Sequence, residues 1–298
     1  MDPRGKTVLI TGAARGIGAE SARQLSARGA RVALVGLEPE ELARVAAQCG
    51  PDAAAFEADV TDTDALGAAV EAAVERFGGI DVVIANAGVA PAGFVRSMDP
   101  AAFERTIEVN LLGVWRTVRA VLPHVIERRG YVLVIASLAA ASHGPGLAAY
   151  SASKAGSEAF ADALRAEVRH LGVDVGVGYF AFLDTDLVRG ADTQTLFGGL
   201  RQQLPGPFGK TYPLNDAVRR IVEGIERRGR VVAYPGWVRP MLALRGISGP
   251  LLDRGSGQRI AEIDAAFSQD VAERGAAEAS ALVGPGGRAA MRGETPVG

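Results

Sequence analysis

The sequence predicts an α/β fold: a doubly wound parallel sheet of about seven strands in a single domain. Three observations predict it. Short apolar runs, several β-branched and nearly uninterrupted, recur between residues 8 and 234, and longer amphipathic stretches separate them. Glycines punctuate the ends of those stretches. No linker-like shift in composition and no internal repeat interrupts residues 5–235. Continuous apolar strands are the mark of sheets covered on both faces, and strand–helix alternation is the mark of parallel crossover units.

Taken in order, residues 8–11 form the first strand and 16–28 the helix after it, stopped at Gly29. The second strand, 31–36, leads to a helix over 39–48 and Gly50; the third, 53–58, to a helix over 62–77 and Gly78-Gly79. The fourth strand, 81–86, contains Val82-Val-Ile84, and the fifth, 131–137, contains Val132-Leu-Val-Ile135, both suited to the buried centre of a sheet. One long helix over 100–129 joins them, ending at Gly130. A helix over 147–170 with Gly172 at its end precedes strand six at 173–180, and a helix over 213–228 with Gly229 precedes strand seven at 230–234. Residues 1–235 therefore read as one domain. Residues 236–298 read as a C-terminal extension, helical or irregular to 275, then an Ala/Gly/Pro-rich stretch with no large apolar face that is expected to be mobile.

A chain of 298 residues can bury a substantial core, and 48% hydrophobic with 22% charged residues fits an ordinary soluble protein. A net charge of −2 gives no reason to expect a nucleic-acid partner. Cys49 is the sole cysteine, so no internal disulfide forms, and the three histidines show no metal-ligand spacing, so no metal is expected. Residues 1–6 run directly into the first strand with no signal-peptide pattern, and no uninterrupted apolar stretch of about 18 residues exists to span a membrane. The expected location is the cytoplasm.

Two motifs carry chemistry. Tyr150-Ser-Ala-Ser-Lys154 puts a phenol and an ammonium one helical turn apart on the same face, a tunable proton donor and acceptor. Thr11-Gly-Ala-Ala-Arg-Gly-Ile-Gly18 is a Gly-rich strand-to-helix turn, where backbone N–H groups and close approach suit a nucleotide diphosphate. Either alone has a plain structural reading; their order and spacing make the conjunction specific. Together they point to carbonyl–alcohol redox chemistry with a nicotinamide cofactor.

The spacing Gly12-x-x-x-Gly16-x-Gly18, with Asp59-Val60, Asn86-Ala87-Gly88, Asn110, Ser137 and Tyr150–Lys154, closely resembles the short-chain dehydrogenase/reductase family across roughly residues 5–235. The resemblance implies Tyr150 as general acid/base, Lys154 as the group that lowers the phenol's pKa and holds the nicotinamide ribose, and Ser137 as hydrogen-bond donor to the substrate oxygen. It implies Asn110 as holder of a relay water. It further implies Ile17 in the phosphate turn, Asp59 on the adenine amino group, Val60 against the ring, and Asn86, Ala87 and Gly88 beside the adenosine ribose. Leu183 and Thr185 take the family's nicotinamide-contacting positions, although Phe180-Ala181 replaces the usual Pro-Gly before them.

Cofactor choice turns on Gly36, Leu37 and Glu38 at the end of strand two. The family's NAD-selecting aspartate falls at Gly36, and Arg15 can pair with a 2′-phosphate, so NADP is favoured over NAD, with Glu38 as the competing ribose ligand. The expected substrate is a fairly apolar secondary alcohol or ketone. Residues 184–204 correspond to the substrate lid. Family members pair through the two long helices, so a homodimer or homotetramer is expected, with Phe160, Leu164 and Val168 as the apolar stripe. Two other readings stay open here: a non-catalytic NAD(P)-sensing protein, and an isomerase or dehydratase using the same Tyr–Lys pair.

Overall fold

The computed structural model describes residues 1–202, 204–252 and 257–292. Seven strands form one sheet, all parallel: β1 (Thr7–Thr11), β2 (Arg31–Gly36), β3 (Ala53–Glu57), β4 (Val82–Ala85), β5 (Tyr131–Ile135), β6 (Asp174–Phe180) and β7 (Val231–Tyr234). Their order is β3-β2-β1-β4-β5-β6-β7. The order reverses between β1 and β4, and the crevice above that reversal is where such sheets bind ligands.

Helices cover both faces: α1 (Gly16–Ser26), α2 (Pro39–Cys49), α3 (Thr63–Phe77), α4 (Pro100–Ile107), α5 (Gly113–Glu127), α6 (Ala148–Val168), α7 (Asp186–Asp192), α8 (Thr195–Gln202) and α9 (Leu214–Arg227). Because side chains alternate along a strand, β1 feeds two cores. Leu9 joins Val83, Val132, Val118 and Leu164 on one face; Val8 and Ile10 join Leu133, Leu25 and Ile221 on the other. Both clusters are closed to solvent, which is why the central strands read as continuous apolar runs.

The expected long helix over 100–129 runs unbroken to Glu127 but changes pitch within it. Residues Glu108–Leu112 form a π-helical turn between α4 and α5. Asn110 lies within it, wholly buried. A π turn inserts one residue into the α ladder and loosens its hydrogen bonds, and here a polar side chain inside an apolar helix supplies the reason.

After β7 come α10 (Val238–Leu252), α11 (Gly257–Arg274), α12 (Ala276–Ala279) and α13 (Gly284–Arg292). Residues 276–292 pack onto the domain. Leu282, Val283 and Ala290 are buried, with Leu282 and Ala290 packed on Val60, Val89 and Val109. Two adjacent apolar residues and a run of small ones fill a narrow trough, so a broad apolar face is unnecessary. Phe267 of α11 is buried with Leu196 and Phe197 of α8, so the extension also braces the predicted lid.

Candidate active site

The site is assembled at the carboxyl ends of β1, β4, β5 and β6. Gly12 and Gly16 sit at φ +64° and +51° as the chain turns from β1 into α1. A Cβ on Gly18 would lie 2.3 Å from the Gly12 carbonyl oxygen, so α1 approaches the turn as only glycine permits. Asn86 fixes the turn from β4: its Nδ2 donates to the Thr11 carbonyl at 2.9 Å and to that of Gly12 at 3.2 Å. The Thr11 hydroxyl oxygen in return accepts from the Asn86 and Ala87 N–H groups. The turn is thus a close-packed backbone cradle, passable only to glycine at Gly12 and Gly18 and tied by Asn86, which fits a dinucleotide pyrophosphate.

A single groove runs from this cradle to Thr185. Its walls include the predicted Gly12, Arg15, Gly16, Ile17, Gly36, Leu37, Glu38, Asp59, Val60, Asn86, Ala87 and Gly88. Ser137, Tyr150, Lys154, Leu183 and Thr185 line the same groove. Gly18 and Asn110 stand behind the wall. Thr185 caps α7 by accepting from the Val188 N–H, and its methyl group faces Gly16 across the groove.

At the end of β2, Arg15 is committed. Its Nε and terminal nitrogen each lie 2.8 Å from Glu38 Oε1, with Glu41 and Asp186 carboxylates both 3.8 Å away. Glu41 also pairs with Arg44, and Asp186 with Arg189, so Glu38 is the close partner of Arg15 and the first cause that holds it firmly charged. The guanidinium that the sequence offers to a 2′-phosphate is thus engaged with Glu38 in this structure. Glu41 and Asp186 are distant in sequence and no motif marks them.

Asp59 is likewise partnered. Its carboxylate accepts from Arg105 at 2.8 Å and from the Thr61 N–H at 2.9 Å. Arg105 is buried and also donates to Thr61 Oγ1 and to the Ala290 carbonyl. Sequence reasoning missed Arg105, because an arginine on an amphipathic helix reads as solvent-facing.

The chemical centre lies at the start of α6. The Tyr150 and Ser137 side chains both face the groove there. Burial pushes the Tyr150 phenol above its ordinary pKa, and the Ser137 hydroxyl pulls it part of the way back. Lys154 is 4% exposed, its Nζ donates to the Ile135 carbonyl at 2.9 Å, and it stands 5.8 Å from the Tyr150 ring centre. Burial lowers its pKa to about 8, so its charge is itself expensive to hold. Burial of the phenol thus favours its protonated form over the phenolate.

Two further hydroxyls support this turn. Ser153 accepts from Asn110 Nδ2 at 3.0 Å and donates to the Tyr150 carbonyl at 2.8 Å. Ser157 donates to the carbonyl of Asn110 at 2.7 Å. Three and seven residues after Tyr150, they fall on its face of the helix, a spacing visible in the sequence. Phe180 is core, packed with Ile135 and Leu183, whereas Phe182 stacks edge-on to Phe197 of the lid at 5.7 Å.

Comparison with known proteins follows the same lines. The short chain dehydrogenase family model matches residues 6–195. An oxidoreductase of Myxococcus xanthus (strain DK1622) is 33% identical over 253 residues, 83% of this chain and 95% of that one. The 3-oxoacyl-acyl-carrier-protein reductase FabG of Escherichia coli (strain K12) is 31% identical over 219 residues, 73% of this chain and 90% of the relative. Among solved structures, a 3-ketoacyl-acyl-carrier-protein reductase from Brucella melitensis complexed with NADH superposes with a TM-score of 0.70 at 28% identity, over 78% of this chain and 98% of that one.

Proposed function

Since the chain belongs to the short-chain dehydrogenase family and is an NAD(P)-dependent oxidoreductase, we propose that it interconverts a fairly apolar ketone and its secondary alcohol, with NAD as the preferred cofactor. The observation that carries this reading is the Ser137–Tyr150 hydroxyl pair, with Lys154 buried one turn on, at the inner end of a groove that begins in a glycine cradle.

The cradle of Gly12, Gly16 and Ile17, with Gly18 allowing α1 to approach, would hold the pyrophosphate. Glu38 would accept from the adenosine ribose hydroxyls, with Gly36 leaving room and Leu37 beside the base. Asp59, whose carboxylate keeps lone pairs beyond its present bonds, would accept from the adenine amino group, and Val60 would face the ring. Asn86, Ala87 and Gly88 would border that ribose, Lys154 would hold the nicotinamide ribose, and Leu183 and Thr185 would take the carboxamide. When bound, the nicotinamide supplies or accepts the hydride at the substrate carbon.

Tyr150, in its protonated form, donates its proton to the carbonyl oxygen as negative charge develops there. The Ser137 hydroxyl donates to the same oxygen and orients it. Lys154 supplies positive charge behind the phenol, and Asn110, through Ser153, holds the Tyr150 turn in place. Ala136, Ala181, Leu187 and Val188 give the neighbouring wall its apolar character. A non-catalytic sensor has no use for a buried, strained-charge lysine beside a phenol, and the family members matched are oxidoreductases, so the sensing and isomerase readings lack a supporting observation. Turnover of NADH absorbance with a panel of apolar ketones is the test; no turnover with any of them, together with binding of NADH, would return the sensing reading.

We further propose a homodimer through α5 and α6. Leu164 and Val168 of the expected stripe are buried in the core, and the exposed residues of these helices instead include Leu112, Trp115, Ala152 and Ala159.

A further inference from the structure

The chain after α12 crosses into the groove itself. Val283 N donates to the Ala90 carbonyl at 3.2 Å, and Gln194 Nε2 donates to the Ala281 carbonyl at 2.9 Å. Leu282 and Ala290 lie buried on Val60, Val89 and Val109. Arg105 joins the segment to Asp59, because one guanidinium nitrogen lies 2.8 Å from both the Asp59 carboxylate and the Ala290 carbonyl. A Cβ on Gly286 would stand 3.9 Å from Glu38 Oε2. Residues 282–290 therefore reach the three groups that the proposed function sets at the adenosine end: Val60, Asp59 and Glu38.

We propose that residues 282–290 are the outer wall of the adenosine pocket, closing over the base and its ribose so that the cofactor is held between the glycine cradle and this segment. The proposal rests on the cofactor reading given above. Two observations separate a wall from its alternatives. A cavity persists between the segment and the cradle, lined by Gly12, Gly16 and Leu37 on one side and by Gly284, Gly286 and Ala290 on the other, so the segment does not fill the pocket. Val60 is only 5% exposed, so the segment does not stand aside from it either. The glycines and Pro285 present backbone rather than bulk, which allows close approach to a ribose without blocking it. The same segment is pressed against the lid: a Cβ on Gly190 of α7 would lie 2.8 Å from Gly284 N. Release of cofactor then requires this strap, and α7 with it, to shift.

The test compares the full chain with a chain stopped after residue 280 and with full-length Leu282→Asp, which unseats the segment from Val60 without shortening it. NADH and ADP-ribose affinities are measured by fluorescence and calorimetry, and NADH dissociation by stopped flow. Both variants are expected to bind NADH and ADP-ribose at least about tenfold more weakly, the scale of losing one or two apolar contacts, with faster dissociation. Affinity for nicotinamide mononucleotide, which lacks the adenosine half, is expected to stay unchanged. Unchanged or tighter ADP-ribose binding in a variant that melts like the full chain overturns the wall. Failure of the full chain to bind either ligand overturns the cofactor reading itself, and the wall with it.

Discussion

Asn110 satisfies both backbone polar groups of Val89: its Nδ2 donates to the Val89 carbonyl at 2.8 Å and its Oδ1 accepts from the Val89 N–H at the same distance. The loop that continues Asn86-Ala-Gly88 is thereby held by a side chain, as a neighbouring strand would hold it. Asn110→Leu is expected to leave both groups buried and unpaired, at about 1–3 kcal/mol each, and to destabilise the fold by roughly 2–6 kcal/mol. Denaturant unfolding measures this, and a loss under about 1 kcal/mol would mean that the loop is held elsewhere.

Tyr150→Phe should bind NADH nearly as the parent does but turn over at least about 100-fold more slowly, the usual scale for removing a positioned proton donor. Single-turnover rates with an accepted ketone decide it; a parental rate removes Tyr150 from the chemistry.

The raised phenol pKa sets a pH dependence. Reduction needs the protonated phenol and should hold across neutral pH, while alcohol oxidation needs the phenolate and should rise into the alkaline range. Ser137→Ala removes the hydroxyl that pulls the pKa down, so the oxidation profile should move to still higher pH. A profile that moves to lower pH in this variant would contradict the assignment.

Lys154 carries a stability cost with a defined pH window. Its pKa is depressed by burial from an ordinary 10.5 to about 8. The unfolded chain therefore binds the proton more tightly than the folded one. The resulting destabilisation is fully present below about pH 8 and is relieved as the pH climbs toward the unfolded value. Lys154→Met should thus be inactive yet more stable at neutral pH, by up to about 3 kcal/mol less the lost bond to Ile135. Its advantage should shrink between the two pKa values. An advantage that grows with pH would show that the fold raises the lysine's pKa instead of lowering it.

Arg15 and Glu38 make the cofactor preference testable. The parent should bind NADH more tightly than NADPH, and Glu38→Gln should raise NADPH affinity by about tenfold as the guanidinium is released toward a phosphate. Gly36→Asp has space for its side chain, the nearest atom to a Cβ being Leu42 Cδ2 at 3.6 Å, and should sharpen the NADH preference. Tighter NADPH binding by the parent would mean that Arg15 turns away from Glu38 when cofactor enters.

Trp115→Asp should split the dimer with little effect on the fold, because Trp115 is 40% exposed. Light scattering should then fall to the 30.8 kDa of one chain. A parent that already scatters as one chain would end the interface proposal.

The sheet and the groove were readable because they rest on local signals: apolar runs for β4 and β5, glycines for the turn, and a four-residue spacing for Tyr150 and Lys154. What stayed hidden depends on partners far apart in the chain. Nothing near Arg15 announces that it pairs with Glu38, 23 positions on, so its charge looked available. Arg105 looked like a surface residue because its partner Ala290 is 185 positions away. The stretch beyond 275 looked featureless because Leu282 and Val283 need a trough, not a face. Even so, Gly284-Pro285 ahead of Arg288-Ala-Ala-Met291 has the form of a helix start.

The π turn at Glu108–Leu112 also makes the two sides of one long helix inseparable. It carries one residue more than an α ladder would, and that surplus sets the angular phase of everything after it. Removing a single residue there to restore even spacing would rotate α5 by about 100° relative to α4. Val114, Val118, Val121 and Val125 would leave the sheet, and Trp115 would swing off the outer surface. Asn110 inside and Trp115 outside thus share one phase. Deletions that most helices absorb by fraying at an end have no such outlet here, so this stretch should accept changes of residue far more readily than changes of length.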